Sequence, residues 1–314
     1  MGQGTIGIAV AARDATGALA AIRKAEEMGV RAAWMTSGGA GGDALTVAAA
    51  AAAQTERILL GTSIVQTWSR HPVAAAEQTR VIAGLAPGRF RLGVGPGHKR
   101  GMETTFGADF RAPLGHLTEY LGVLKGLLQD GAIDFDGRYY RAHSTLPEPL
   151  DVPVMASALR ERSFEVCGAK SDGAIRWVCP RQYLRDTALP ALKAGAESAG
   201  RPTPPLIVHA PICVHEDPAA AREGARRQLG IYPSSLFYSQ MFADAGFPGS
   251  LETGWTDAML DAVLITGDET SVAEQCREIF AWGASEILAS VVTAGGDRQA
   301  SADRTMRLLA QISD

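Results

Sequence analysis

A chain of 314 residues holds one large α/β domain or two ordinary ones, and 46% hydrophobic against 20% charged residues is usual for a soluble globular protein. A formal net charge of −4 offers no broad basic field for nucleic acid or an anionic membrane. No apolar run approaches the roughly 18 residues of a membrane span.

The opening MGQGTIGIAVAARD has no basic stretch before its short apolar run, so residues 5–11 read as a first strand and not as a secretory signal. A helix at 18–28, with Thr16 as N-cap, closes at Gly29 ahead of a strand at 30–35. Asp43 caps an alanine-rich helix at 44–53. Residues 58–65 and 90–94 are β-rich apolar runs flanking a helical segment at 74–85, which turns back through Ala86-Pro87-Gly88. That order requires a parallel pair with a crossover, and ligands collect at the carboxyl ends of such strands. Residues 99–109 are polar and irregular, without a helical pattern. Leu114, Leu117, Leu121, Leu124 and Leu128 give residues 113–129 one apolar helical face. Asp136-Gly137 centres a small hairpin at 133–140.

Strands at 152–156, 173–178 and 206–214 alternate with helices at 160–169 and 184–198, and Asp217-Pro218 opens the next helix. Residues 231–261, with Phe237, Tyr238, Phe242, Phe247 and Trp255, are too long and aromatic for a connection and read as an insertion or lid. Asp268 caps a helix through Trp282, Gly283 closes it, and 286–292 is a strand. Eight strands alternating with helices imply an α/β fold, a single (β/α)8 TIM barrel over residues 1–314, with a doubly wound open sheet as the alternative.

The glycines Gly93, Gly95 and Gly97 lack the spacing of a dinucleotide fingerprint. They suit close approach of a flat ring to bare backbone, or simply a tight loop over the barrel mouth. His98 ends that loop, where a histidine serves as proton donor or anion ligand, or is simply a solvated loop residue. Arg160, Glu161 and Arg162 open a helix directly after a strand, which in a barrel brings N–H groups and guanidiniums suited to a phosphate to the active face, the alternative being a charged helix start on the surface. Cys167, Cys179, Cys213 and Cys276 form no CxxC pair and read as small core residues of a reducing cytosol; no metal site is expected.

LGTSIVQTWSRHP followed by PGRFRLGVGPGHKR resembles the luciferase-like monooxygenase superfamily, in particular its branch using the deazaflavin coenzyme F420. Further agreement comes in order from Lys170-Ser171-Asp172-Gly173 and the ICVHEDPAAAREGARRQ segment. The resemblance implies an eight-stranded barrel with an insertion matching 231–261. It also implies a bulged third strand whose cis peptide, here Ser63–Ile64, supports the cofactor ring. Ser37, Ser63, Ile64, Gln66, Gly95 and Gly97 would lie about that ring, and Ala158, Leu159, Arg160 and Arg162 would hold the phosphate. Where the sugar-phosphate dehydrogenases of this family carry an acid and a histidine after strand two, Ser37 and Gly38 stand here, and His98 replaces a glutamate. Sugar-phosphate oxidation is therefore not expected. The implied activity is F420-dependent hydride transfer to or from a small organic molecule in a cytoplasmic homodimer, with His98 as catalytic candidate. An FMN-dependent monooxygenase and a non-catalytic flavin-binding protein are the alternatives.

Overall fold

Strand-forming runs recur between helices along the whole chain, and the computed structural model, which describes residues 4–40 and 42–313 (37–40 in backbone only), closes them into a ring. The staves are β1 (Thr5–Ala12), β2 (Ala32–Ala40), β3 (Leu59–Ser63), β4 (Phe90–Gly95), β5 (Val154–Ser157), β6 (Gly173–Trp177), β7 (Leu206–Val214) and β8 (Glu286–Val291). Each is parallel to its neighbours, and β8 returns to β1 from Thr5↔Glu286 to Ile8↔Ala289. This is the expected barrel and not the open sheet. β7 is buried along its whole length, as a strand covered on both faces must be.

Short polar residues at helix starts set the boundaries. Asp43, Asp217 and Asp268 each accept a backbone N–H from the first turn. The first helix, Ala15–Glu27, is capped by Asp14, which accepts from Gly17 N at 2.7 Å, and not by the expected Thr16. Segment 99–109, expected to be irregular, contains the helix Lys99–Phe106, ended by Gly107 in the left-handed region at φ 63°. Only Met102 of that helix is buried, so it carries no apolar stripe to read. The hairpin is longer than expected: Ala132–Asp136 pairs antiparallel with Arg141–Thr145. The insertion folds as the helices Leu236–Asp244, Ser250–Thr253 and Asp257–Val263.

The core has two parts. Most apolar residues fill the shell between staves and helices. A smaller cluster, Ala32, Trp34, Met155, Ile175, Ile207 and Leu288, fills the lower lumen. A polar layer adjoins it: Glu286 accepts from Trp34 Nε1 at 2.7 Å and from both terminal nitrogens of Arg91 at 2.5 and 3.2 Å. All four cysteines are free and buried. No helix among the described residues is long and apolar enough to cross a membrane.

Candidate active site at the barrel mouth

β3 and β4 pair as Leu60↔Phe90 and Gly61↔Arg91, then again as Val65↔Val94 and Gln66↔Gly95. The offset falls from 30 to 29, so β3 carries one extra residue, a bulge at Thr62–Ser63–Ile64. Within it Thr62 Oγ1 accepts from Gly93 N at 2.9 Å and donates to Gly93 O at 2.8 Å, replacing the interrupted ladder. Ser63–Ile64 is a cis peptide bond, at the position the resemblance implied.

Above the filled lower lumen the barrel is open. Ser63, Ile64, Gln66, Ser157, Trp177 and Ser290 are all partly exposed towards the carboxyl ends of their strands, and half of them are serines. Small residues ringing an open mouth leave room for a flat group. Gly95 does not owe its bareness to such a group, however. A Cβ there would lie 2.1 Å from Ser157 Oγ and 3.2 Å from Ile64 Cγ1, so the glycine lets β4 pack between bulge and neighbour. Gly97, at φ +71°, makes the turn that follows.

The floor is a histidine. His209 is buried on β7, with Nε2 2.8 Å from Ser290 Oγ, Nδ1 3.5 Å from Ser63 Oγ, and its ring 3.9 Å from that of Trp177. Burial, helped by the Arg176 guanidinium, holds its pKa down to about 3, so it is neutral at physiological pH. Arg176, fully buried on the outer side of β6, donates to Cys179 O. That bond braces a turn in which Val178, a β-branched residue, takes φ +49°, and so fixes Trp177 at the mouth.

His98 stands on the rim as the N-cap residue of Lys99–Phe106, without a side-chain capping bond. Its ring lies 5.8 Å from Tyr238, stacked, and 5.7 Å from Tyr232. These rings crowd it enough to lower its pKa although one face remains exposed. Tyr232 also meets Trp177 edge-on at 5.7 Å, so the insertion closes one side of the mouth with aromatic rings.

The helix Glu161–Lys170 begins at the end of β5 and is seated by glycines: a Cβ on Gly168 would lie 2.1 Å from Leu192 O. Its first turn is less open than expected. Ser163 Oγ accepts from Leu159 N at 2.9 Å and Arg160 N at 3.0 Å, and Ala158 N donates to Ile175 O. Arg160 is committed to the insertion, with Nε 2.9 Å from Asp244 Oδ2 and a terminal nitrogen 3.0 Å from Gln240 Oε1. Arg162 is exposed, with no side-chain partner among the described residues. The structure thus gathers Ser63, Ile64, Gln66, Gly95, Gly97 and His98 at one side of the mouth and Ala158, Leu159, Arg160 and Arg162 at the next strand end. The side chain of Ser37 lies outside the described residues.

A second histidine is structural. His116 stacks on Trp68 at 3.5 Å, and its Nε2 lies 2.6 Å from the Tyr140 hydroxyl. Burial, opposed by Glu119, lowers its pKa to about 4. Unfolded, both histidines bind a proton near pH 6.5, whereas folded they do so only near 4 and 3. The unfolded state therefore binds more protons, and stability is full above about pH 6.5 and declines as pH falls. Between pH 6.5 and 5, before carboxylates titrate, the expected slope approaches ~1.4 kcal/mol per pH unit for each histidine. Urea unfolding across that range should show a shallower slope in His116→Gln, which keeps the contributions of His209 and His98. An unchanged slope would contradict the burial argument.

No group of histidines, cysteines and carboxylates suited to a metal occurs among the described residues. The family model described as luciferase-like monooxygenase matches residues 3–286. An F420-dependent glucose-6-phosphate dehydrogenase of Beutenbergia cavernae is 33% identical over 60% of this chain and 58% of its own length. The match thus spans about three fifths of that relative. A 5,10-methylenetetrahydromethanopterin reductase of Methanolobus tindarius is 25% identical over 84% of this chain and 87% of its own. In fold, the coenzyme F420-dependent tetrahydromethanopterin reductase of Methanopyrus kandleri superposes with a TM-score of 0.78 at 19% identity, covering 99% of this chain and 98% of that one. With a family match across nine tenths of its length and a barrel mouth built on a bulged third strand, the chain belongs to the luciferase-like monooxygenase family.

Proposed function

We propose that the protein is an F420-dependent oxidoreductase, exchanging a hydride between the deazaflavin and a small organic molecule. The observation that carries this reading is the open upper lumen, ringed by small residues beside the Ser63–Ile64 bulge, in a chain whose relatives include enzymes named for F420. When bound, the deazaflavin supplies the hydride chemistry.

The residues present fit such a group. Ser63, Ile64 and Gln66 would bear on its ring, while Gly95 and Gly97 keep the opposite strand end low. The Arg162 N–H and guanidinium would meet its phosphate at a helix start, where the aligned peptide dipoles favour an anion. Arg160 adds to this only by leaving Asp244. The two partners are 45% and 43% exposed, so their ion pair is worth no more than about 1 kcal/mol and a phosphate can replace it. The aromatic insertion would exclude water above the ring. His98, neutral by virtue of its lowered pKa, belongs to the wall of the substrate space and can pass a proton only after taking one up. Self-association as a homodimer and a cytoplasmic location accompany the reading on family grounds, with four unpaired buried cysteines in keeping with a reducing compartment.

The test is to supply reduced F420 under nitrogen with a panel of carbonyl compounds, enones and imines, and in parallel reduced FMN in air. Deazaflavin oxidation without oxygen is the expected outcome. Turnover only with reduced FMN and oxygen would transfer the protein to the monooxygenases.

A further inference from the structure

Among the described residues, the polar groups of the upper lumen leave one hydrogen-bond donor unused. Ser63 Oγ, His209 and Ser290 Oγ form a row, hydroxyl–imidazole–hydroxyl. A neutral imidazole has one N–H and one bare nitrogen. If Nε2 carries the proton it donates to Ser290, and Nδ1 accepts from Ser63, so the Ser290 hydroxyl proton is left over. If Nδ1 carries it, the Ser290 hydroxyl donates to Nε2, and the Ser63 proton is left over. Either tautomer leaves one serine O–H without an acceptor in the row, on a residue partly exposed to the open mouth. The shorter Ser290 contact, 2.8 against 3.5 Å, anchors the imidazole on that side.

Among the described residues, the surroundings of this row are aromatic and uncharged. Trp177 lies on His209, Tyr232 on Trp177, and Tyr238 and His98 continue the wall to the rim. Of the guanidiniums on neighbouring strand ends, Arg176 is held by Cys179 O behind the sheet, and Arg160 is, on the oxidoreductase reading, taken by the cofactor's own phosphate. Lys99 and Arg100 are exposed on the helix that begins after His98. A dianionic phosphate ester entering here would lose water without gaining a fixed cation, whereas a flat uncharged molecule would lose only apolar hydration.

We infer that the mouth takes a neutral, planar carbonyl compound, its ring against the Trp177–Tyr232 wall and its oxygen on the Ser63–His209–Ser290 row. The inference rests on the oxidoreductase reading for its purpose, since a carbonyl held there is an acceptor for hydride. It concerns binding and takes the tautomer with the proton on Nε2, the side of the shorter contact, so that the spare O–H belongs to Ser290, which contacts substrate, while His209 positions that hydroxyl.

The test uses the full chain with excess F420, titrated by tryptophan fluorescence and saturation-transfer NMR with acetophenone and, separately, glucose 6-phosphate. Acetophenone should bind saturably and glucose 6-phosphate should not compete with it. Ser290→Ala should weaken acetophenone about five-fold, the worth of one ordinary hydrogen bond, while Ser290→Thr, which keeps the hydroxyl, should restore most of it. Affinity for F420, measured first, should be the same in all three proteins. Absence of saturable acetophenone binding, equal binding by Ser290→Ala, or displacement by glucose 6-phosphate would each overturn the inference. Should F420 itself fail to bind the wild type, the oxidoreductase reading falls, while the acetophenone titration without cofactor still decides the carbonyl site.

Discussion

Gly93→Ala is expected to destabilise the protein by about 3 kcal/mol, at the upper end of what an added methyl does in a packed interior, and to abolish cofactor binding. A Cβ at Gly93 would lie 2.0 Å from Thr62 O and 2.7 Å from Ile175 Cδ1. The first is backbone and cannot rotate away. Relief has to come from moving Thr62, whose hydroxyl holds Gly93 at both its N–H and its C=O. Thr62 precedes Ser63–Ile64, so the displacement reaches the support of the proposed ring and also the Ser63 end of the His209 row. At roughly 2–4 °C per kcal/mol for a chain of this order of size, melting should fall by about 6–12 °C. Circular dichroism and an F420 titration on the same sample separate the two effects. An unchanged melting temperature would show that the two strands are not held this closely.

Glu286→Ala is the second large effect, expected to cost about 3–5 kcal/mol, as when one partner of a buried ion pair is removed. Glu286 is 4% exposed and Arg91 15%, and the guanidinium also lies 4.4 Å over the Trp34 ring. Without the carboxylate, Arg91 keeps a buried charge and Trp34 an orphaned N–H. The Arg91 Nε already has no partner among the described residues. Replacing both members, as Arg91→Met with Glu286→Leu, should recover much of the loss, because neither charge then has to be kept from water. The Trp34 N–H would remain unpaired and hold back about 1–3 kcal/mol. Urea unfolding of the two proteins and the wild type gives the comparison. A double variant no better than Glu286→Ala would mean that packing, and not the unpaired charge, sets the cost.

Much of this fold is legible because local chemistry and global architecture agree. Asp43, Asp217 and Asp268 cap the helices their positions announce, and Gly29 and Gly283 take positive φ where the chain leaves a helix for a strand. Segment 99–109 was harder to read because the helix Lys99–Phe106 lies on the surface and has almost no apolar face; Gly107 was the one local sign of its end. Asp14 outcompetes Thr16 as a cap because the helix begins one turn earlier than its apolar spacing suggests.

The site was legible only where it is continuous in sequence. The bulge and the glycine loop lie on adjacent elements, and the cis Ser63–Ile64 bond stands where the resemblance implied it. His209 was missed because it interrupts the wholly apolar run LIVHAPICV and reads as a core histidine. Its alternation with lumen-facing Ile207 was a signal, but its partners Ser63 and Ser290 are 146 and 81 residues away. The commitment of Arg160 to Asp244, 84 residues on, was hidden in the same way. Distances of that kind are set by barrel closure, which no local pattern reports.

The most direct measurement is a pair of titrations of the purified protein, one with F420 and one with FMN, following tryptophan fluorescence, since Trp177 borders the mouth. Saturable quenching by F420, with FMN giving none at comparable concentrations, is the expected result. Tight binding of FMN with none of F420 would contradict the assignment and make this barrel a flavin enzyme.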